Sequence, residues 1–193
     1  MARPRAFNEE DAIDKAVKVF WAKGYEATSM QDLINAMGIQ RGSLYATFGS
    51  KQQLFLKSLK RYGFVVVNKL LKILESRPSA IESIELFFSQ LVEHLLTSGE
   101  LRSCLVTNSA IERGLRDEET KQQVLYLLNG LEKGFYNTLL RAKKNGELST
   151  ELDLKIVANY LTSSMQGLVV IGKVCSERSV LEGINQVTLS VLK

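Results

Sequence analysis

Residues 28–55 read TSMQDLINAMGIQRGSLYATFGSKQQLF, which predicts two short helices separated by a glycine turn and followed by the start of a third helix. A capping box can start the first helix, either from Thr28 with Gln31 or from Ser29 with Asp32. The apolar residues of that helix recur at i, i+3, i+4 and i+7, which predicts one buried face; they are Met30, Leu33, Ile34 and Met37. Gly38 can end the helix, because glycine adopts the left-handed conformation without a steric penalty.

The second short helix is expected over residues 40–47 and is mostly polar. Leu44 and Phe48 give it apolar anchors at i and i+4, and its remaining side chains are left for the outer face. A small polar helix of this kind suits the major groove of DNA better than a protein core. Ser50 with Gln53 then starts the next helix, with Lys51 in the first turn. A lysine there opposes the helix dipole, which favours a nearby anion such as a DNA phosphate.

The segment resembles the DNA-binding domain of the TetR family of bacterial transcriptional regulators. The matching residues are Thr28, Leu33, Ile34, Gly38, Ile39, Ser43, Leu44, Tyr45, Phe48, Lys51 and Leu54, with Phe20, Gly24 and Tyr25 upstream. The strong resemblance covers residues 8–56, and beyond it only the length and the helical pattern agree. It implies an all-α fold, with a three-helix helix-turn-helix DNA-binding domain over residues 1–50. A helical domain for effector binding and dimerisation would follow over residues 51–193.

The resemblance implies a dimeric regulator, most simply a repressor that leaves a palindromic DNA operator when a small molecule binds. Arg41 is the strongest base reader, because a guanidinium can donate to both major-groove acceptors of a guanine. The other expected base contacts are Gln40, Gly42, Ser43 and Thr47. Thr28, Tyr45 and Lys51 are expected to hold phosphates, Thr28 through its backbone amide. The basic arm that carries Arg3 and Arg5 is expected to follow the backbone or enter the minor groove.

Residues after 50 predict six further helices, over 50–75, 79–96, 101–113, 117–144, 150–175 and 179–192. The last two resemble the pair that forms the family's dimer interface. Its expected residues are Ile156, Tyr160, Ser163, Ser164, Gly167, Val180, Ile184, Val187 and Val191. The middle helices are expected to enclose an effector pocket. Its expected lining is Phe64, Phe87, Phe88, Leu91, Leu95, Cys104, Asn108, Tyr126, Phe135 and Met165; for each residue alone, the competing interpretation is ordinary core packing.

Two alternatives stay open on the same fold. Cys104 lies near a predicted helix start and has Arg102 close by, both of which favour a reactive thiolate. The chain is then a thiol-based sensor of electrophiles or oxidants, as some TetR-like regulators are; the competing interpretation is a buried small apolar residue. The other alternative is an architectural DNA-binding protein with no effector. Cys104 and Cys175 are expected to be free thiols.

The charge distribution agrees with a DNA-binding N-terminal part. Residues 1–62 carry 10 Lys or Arg against 6 Asp or Glu, whereas residues 63–193 carry 15 of each. The net charge of +4 is too small for a nonspecific polycation.

No catalytic, metal-binding or membrane pattern stands out. The single histidine, His94, has no Cys or His partners at zinc-ligand spacing, and no P-loop, dinucleotide fingerprint or nucleophile elbow is found. We therefore expect no enzyme, no metal site and no cofactor. The apolar runs are far shorter than the roughly 18 residues of a membrane helix, and the N-terminus lacks an apolar signal core. A cytoplasmic protein without a membrane partner is expected.

Overall fold

The computed structural model describes residues 7–99, 103–148, 151 and 153–193, and every regular element in these ranges is helical. The predicted all-α fold is therefore confirmed. The helices are α1 (Glu9–Lys23), α2 (Met30–Met37), α3 (Arg41–Phe48), α4 (Lys51–Tyr62), α5 (Asn68–Leu74), α6 (Ala80–Thr97), α7 (Leu105–Arg113), α8 (Glu118–Lys144), α9 (Leu154–Val174) and α10 (Arg178–Leu189). A π-helical turn over Gly63–Val67 joins α4 to α5, and a 3₁₀ turn over Ser190–Leu192 follows α10.

Local capping sets the ends of the first helices. The Asn8 side chain accepts hydrogen bonds from the amides of Glu10 and Asp11, at 2.8 and 3.2 Å, and so begins α1. Of the two capping boxes that the sequence allows, the one between Ser29 and Asp32 forms and begins α2. Gly38 ends α2 at φ 68°, in the left-handed conformation that the turn requires.

The core of the N-terminal head is shared with α4. Phe20 on α1 and Phe55 on α4 are buried with their ring centroids 5.1 Å apart, edge to face. Leu33 of α2 and Leu44 of α3 are also fully buried. On the outside of the same contact, the Arg61 guanidinium binds the Asp14 carboxylate through two hydrogen bonds of 2.7 and 2.9 Å. Helix α4 is therefore one element through which the head and the rest of the chain share packing.

A three-ring cluster fills the centre of the C-terminal bundle. The rings of Phe87 and Phe88 on α6 and of Phe135 on α8 lie 5.0 to 5.9 Å apart, and all three are fully buried. Met165 and Leu168 on α9 are buried in the same core. Helix α9 is long and apolar enough to cross a membrane, but only by length and composition. Its buried face marks it as a core helix of the bundle.

The predicted helix boundaries need correction at a few ends. The helix expected to start at residue 101 begins at Leu105, and the one expected at 150 begins at Leu154; residues 101 and 150 themselves lie outside the described residues. The starts are set by Cys104 and Asp153, which have extended backbone conformations at the N-cap positions. The single helix expected over 50–75 contains the π-helical turn, which periodicity does not reveal because such a turn adds only one residue.

Candidate nucleic-acid interface

Helix α3 turns a polar face to solvent. Leu44 and Phe48 are buried and anchor the helix, as predicted, while Gln40, Arg41 and Tyr45 are exposed. The Gln40 side chain makes no capping hydrogen bond, so it is available for recognition. The Arg41 guanidinium carbon lies 5.8 Å from the centroid of the Tyr45 ring, one turn later. This contact orients the arginine along the exposed face of the helix.

The remaining predicted base contacts lie on or beside that face. Gly42 is exposed, and a Cβ built on it would meet nothing within 4 Å. Ser43 and Thr47 are half-buried at the edges of the helix. The arm residues Arg3 and Arg5 lie outside the described residues.

Thr28 needs a correction. Its side chain is 1% exposed, and its hydroxyl donates a 2.5 Å hydrogen bond to the carbonyl oxygen of Gly24. Its amide donates to the carbonyl oxygen of Tyr25 at 3.3 Å. Both donors are therefore engaged in the turn between α1 and α2, and this geometry argues against the predicted phosphate contact. Ser29, which caps α2, is the exposed hydroxyl at this helix start.

Lys51 lies in the first turn of α4, as predicted, but it is not an isolated surface lysine. Its ammonium nitrogen lies 4.3 Å from the centroid of the Tyr25 ring. Burial lowers the pKa of Lys51. The positive charge of Arg113 also lowers it, whereas the negative charges of Glu26 and Glu112 raise it. The side chain is half-buried, and the Tyr25 ring holds its ammonium group at the turn between α1 and α2.

A contact between α7 and the turn after α1 was not predicted from the sequence. The Glu112 carboxylate accepts a 2.7 Å hydrogen bond from the Tyr25 amide and packs against Gly24, which has φ 80°. The Arg113 guanidinium lies 4.4 Å from the Tyr25 ring and donates to Glu26 and Gln52, at 3.2 and 3.3 Å. The C-terminal domain is thus joined directly to the turn that sets the position of α2. No local signal could have shown this, because 87 residues separate the partners.

A second link joins α1 to the segment before α7. The indole nitrogen of Trp21 donates a 2.9 Å hydrogen bond to the carbonyl oxygen of Ser103. Its ring also packs edge to face on Tyr62 at 4.9 Å. The head is therefore held against the C-terminal bundle at two places, by Trp21 and by the Tyr25 cluster.

The residues predicted for the dimer interface lie along one side of α9 and α10. Ile156 and Val187 are each 66% exposed, so this side of the two helices carries apolar surface in contact with water. Gly167 and Ser163 are exposed and Ser164 is half-buried. Because their side chains are small or absent, another helix can come close to the α9 backbone here. A shallow groove of about 480 Å³ runs between the two helices; its lining includes Tyr160, Ser164, Gly167, Ile184 and Val187. Val180 is also exposed, whereas Val191 is half-buried against the core.

The residues predicted for the effector pocket do not come together in one cavity. Phe87, Phe88, Leu91, Leu95, Phe135 and Met165 are buried core residues. Phe64 and Tyr126 are 68% and 74% exposed and line a groove on the outside of the bundle. The single-pocket prediction therefore needs correction, because apolar periodicity does not distinguish a filled core from a cavity lining.

Cys104 and Asn108 are buried at the start of α7, and Cys104 belongs to the same hydrophobic core. The Cys104 side chain is 7% exposed and contacts the Tyr62 hydroxyl. The pKa of Tyr62 is raised well above its usual value, mainly because the hydroxyl is buried and to a smaller extent because of the neighbouring Cys104 thiol. Asn108 is buried and contacts Ser103 and Lys173, each at 3.4 Å. The predicted neighbour Arg102 lies outside the described residues. Cys104 thus lacks the exposure that a reactive thiol requires.

Two family models match the two parts of this arrangement. The model described as bacterial regulatory proteins of the tetR family matches residues 12–57, which span α1 to α3 and the start of α4. The model described as the tetracyclin repressor-like C-terminal domain matches residues 80–187.

Relatives match over nearly the whole chain. The HTH-type transcriptional regulator YezE of Bacillus subtilis is 37% identical over 193 residues and is covered completely, as is this chain. The HTH-type transcriptional repressor ComR of Escherichia coli is 27% identical, with 99% of this chain and 90% of ComR covered. A solved structure of a cysteine mutant of the regulator CifR, complexed with a 26-base-pair operator duplex, matches with a TM-score of 0.88. Its sequence is 29% identical, and 99% of this chain and all of that chain are covered. The protein therefore belongs to the TetR family of helix-turn-helix, DNA-binding transcriptional regulators, which are not enzymes.

Proposed function

We propose that this protein is a dimeric repressor that binds a palindromic operator and leaves it when a small molecule binds to the C-terminal domain. The observation that carries the proposal is the outward polar face of α3, with the Arg41 guanidinium over the Tyr45 ring and no acidic residue in the helix. Arg41 and its neighbours read bases, and Tyr45 and Lys51 hold phosphates. ComR, a relative over nearly the whole chain, is named a repressor, which supports the sign of regulation.

Dimerisation follows from what one recognition helix can read. A single α3 contacts too few base pairs for a specific site, whereas a two-fold pair presents two recognition helices about 34–36 Å apart, one turn of DNA. The exposed aliphatic side of α9 and α10 supports an interface between copies, because Ile156 and Val187 would otherwise stay in water. The small residues Ser163 and Gly167 allow the partner helix to approach closely.

The proposed domains are a head over residues 1–50 and an effector and dimerisation domain over residues 51–193. Helix α4 begins the second domain but also packs on α1, so a change in its angle moves the head. Helix α4 is proposed to have two orientations. An effector that binds the protein more tightly in one of these orientations would change the separation of the two heads. The protein acts where the chromosome is, in the bacterial cytoplasm.

Selection of binding sites from a random pool of DNA duplexes tests the proposal. The bound complex is sized by analytical ultracentrifugation at near-physiological salt. We expect an enriched two-fold palindrome bound by dimers. Weak, salt-sensitive binding without any enriched sequence would contradict the proposal and favour the architectural alternative.

Lys51 provides a test of the phosphate contacts. We expect Lys51→Ala to weaken binding to all sequences alike and to lower the slope of log K against log salt by about 1 per chain, because one counterion fewer is released. Lys51→Arg is the control that keeps the charge. Binding at several salt concentrations, to operator and to random DNA, measures both effects. A changed sequence preference in Lys51→Ala would show that this residue does not act as a pure phosphate contact.

Glu112 provides a test of the link between the domains. We expect Glu112→Ala to lower the free energy of unfolding by about 1.5–3 kcal/mol, because the Tyr25 amide loses a charged acceptor at 2.7 Å. Operator affinity should fall as well, since the turn before α2 is no longer held. Glu119→Ala removes an exposed acid of the same domain and serves as the control. Thermal unfolding and operator titration measure the two effects, and equal behaviour of both variants would contradict a coupling role.

A further inference from the structure

One cavity of the C-terminal domain lies on its outside, between α4–α5 and α8. It has a volume of about 660 Å³, within the range of small-molecule sites. By contrast, the centre of the bundle is occupied by the rings of Phe87, Phe88 and Phe135. An effector that enters the centre must displace those rings, whereas the outer groove is already formed.

The π-helical turn shapes one wall of this groove. The turn over Gly63–Val67 widens the helix just where Gly63 meets Leu127, and a Cβ on Gly63 would overlap that leucine. Helices α4 and α8 therefore approach closely at the floor of the groove. Beside this contact, Phe64 is turned into solvent and is 68% exposed. π-Helical turns within α-helices often mark functional sites.

Two aromatic side chains and two ammonium groups line the groove together. Phe64 comes from the π-helical turn and Tyr126 from α8, and both leave most of their rings in water. Lys60 and Lys133 are exposed lining residues, and neither forms a salt bridge within the part of the chain that the structure describes. None of the 12 lining residues is acidic. The groove thus combines apolar ring faces with uncompensated positive charge.

We infer that this groove binds the effector and that the effector is a small aromatic anion, such as an aromatic carboxylate, phenolate or sulfonate. Its ring packs on Phe64 and Tyr126, which removes apolar surface from water. Its acidic group pairs with Lys60 and Lys133. Because one wall belongs to α4, which packs on α1 of the head, an occupant that spans the groove changes the angle between α4 and α8 and so moves the head. This inference rests on the proposed function and names the ligand class and the place where it acts.

A matched pair of fluorescent probes tests the ligand class. The probes are 8-anilino-1-naphthalenesulfonate, an aromatic anion, and N-phenyl-1-naphthylamine, which has the same rings without the sulfonate. We expect the anion to bind one site per chain. Phe64→Ala and Tyr126→Ala should each weaken it about tenfold, with Leu115→Ala, an exposed apolar residue outside the groove, as the control. The double variant Lys60→Gln, Lys133→Gln should weaken the anion about fivefold to twentyfold and leave the neutral probe unchanged.

The control is the double variant Lys143→Gln, Lys144→Gln, which removes two exposed lysines from the C-terminal end of α8, outside the groove. It should not change the affinity for the anion or for the neutral probe. Equal binding of the anion to the groove variants and to the wild type would overturn the site. Equal loss of both probes in the Lys60, Lys133 variant would overturn the ligand class.

Operator release separates this inference from the proposed function. The selected palindrome is titrated with protein in the presence and absence of the saturating anion. We expect the anion to lower the operator affinity of the wild type at least tenfold and to have no such effect on Phe64→Ala. Groove binding without any change in operator affinity would overturn the groove as the effector site. Failure to bind a palindrome at all would instead overturn the proposed function, while the probe titrations would still stand.

Discussion

Arg41→Ala is expected to weaken operator binding by the dimer between about 30-fold and 10⁴-fold. Each bidentate contact between an arginine and a guanine contributes about 1–3 kcal/mol of discrimination, and a dimer makes the contact twice. The guanidinium carbon of Arg41 lies over the Tyr45 ring, 5.8 Å from its centroid. This contact already orients the exposed guanidinium along α3. Its loss therefore removes a prearranged contact. The sequence preference should relax at one position of each half-site and stay unchanged elsewhere.

Two variants separate base reading by Arg41 from simple loss of charge. Arg41→Lys keeps the charge but not the planar pair of donors, so it should also lose discrimination at that position. Lys143→Ala removes an equal charge from the far end of α8 and should bind like the wild type. Selection from the random pool, repeated with each variant, measures the preference directly. If Arg41→Ala retained the full preference at every position, the assignment of Arg41 as base reader would be wrong.

Phe135→Ala is expected to lower the free energy of unfolding by about 3–5 kcal/mol, the usual result of removing a buried aromatic ring from a filled core. The Phe135 ring is fully buried, and its centroid lies 5.0 Å from that of Phe87 and 5.9 Å from that of Phe88. For a chain of this length, each kcal/mol corresponds to about 2–4 °C in the unfolding midpoint. A fall of about 6–20 °C should therefore appear in thermal unfolding at a fixed protein concentration.

Tyr126→Ala is the matched control for this core substitution. It truncates an aromatic side chain of the same helix, but one that is 74% exposed, so its effect on stability should stay within about 0.5 kcal/mol. A small effect of Phe135→Ala, similar to that of Tyr126→Ala, would mean that Phe135 lines a cavity that tolerates truncation. The original prediction of a pocket at the centre of the bundle would then be preferred to the outer groove.

Local interactions explain why so much of the head could be predicted. The capping box of Ser29 and Asp32, the left-handed turn at Gly38 and the buried anchors Leu44 and Phe48 involve residues no more than four positions apart. Such interactions depend on helical spacing, which can be read from the sequence. The polar outer face of α3 followed from the same spacing. The choice of Arg41 as base reader rests on its chemistry and exposure, and it stays a prediction.

Where two or more helices compete for the same side chain, the sequence was a weaker guide. Thr28 fitted the pattern of a phosphate contact, yet the turn between α1 and α2 buries it and engages both of its donors. Lys51 stays a predicted phosphate contact, but the packing of its ammonium group on the Tyr25 ring could not be predicted from the sequence. Each outcome depends on how α1, α4 and α7 meet, which local spacing does not specify.

By itself, the sequence determined the helical class, the helix-turn-helix, the glycine turn and the polar outer face of α3, because these depend on neighbours along one helix. Only the tertiary structure decided which aromatic residues fill the core and which, like Phe64 and Tyr126, remain on the surface. It alone joined Glu112 to Tyr25 across 87 residues. The physical reason is that an apolar side chain can be buried by any neighbouring element, and only the packing of whole helices selects which one.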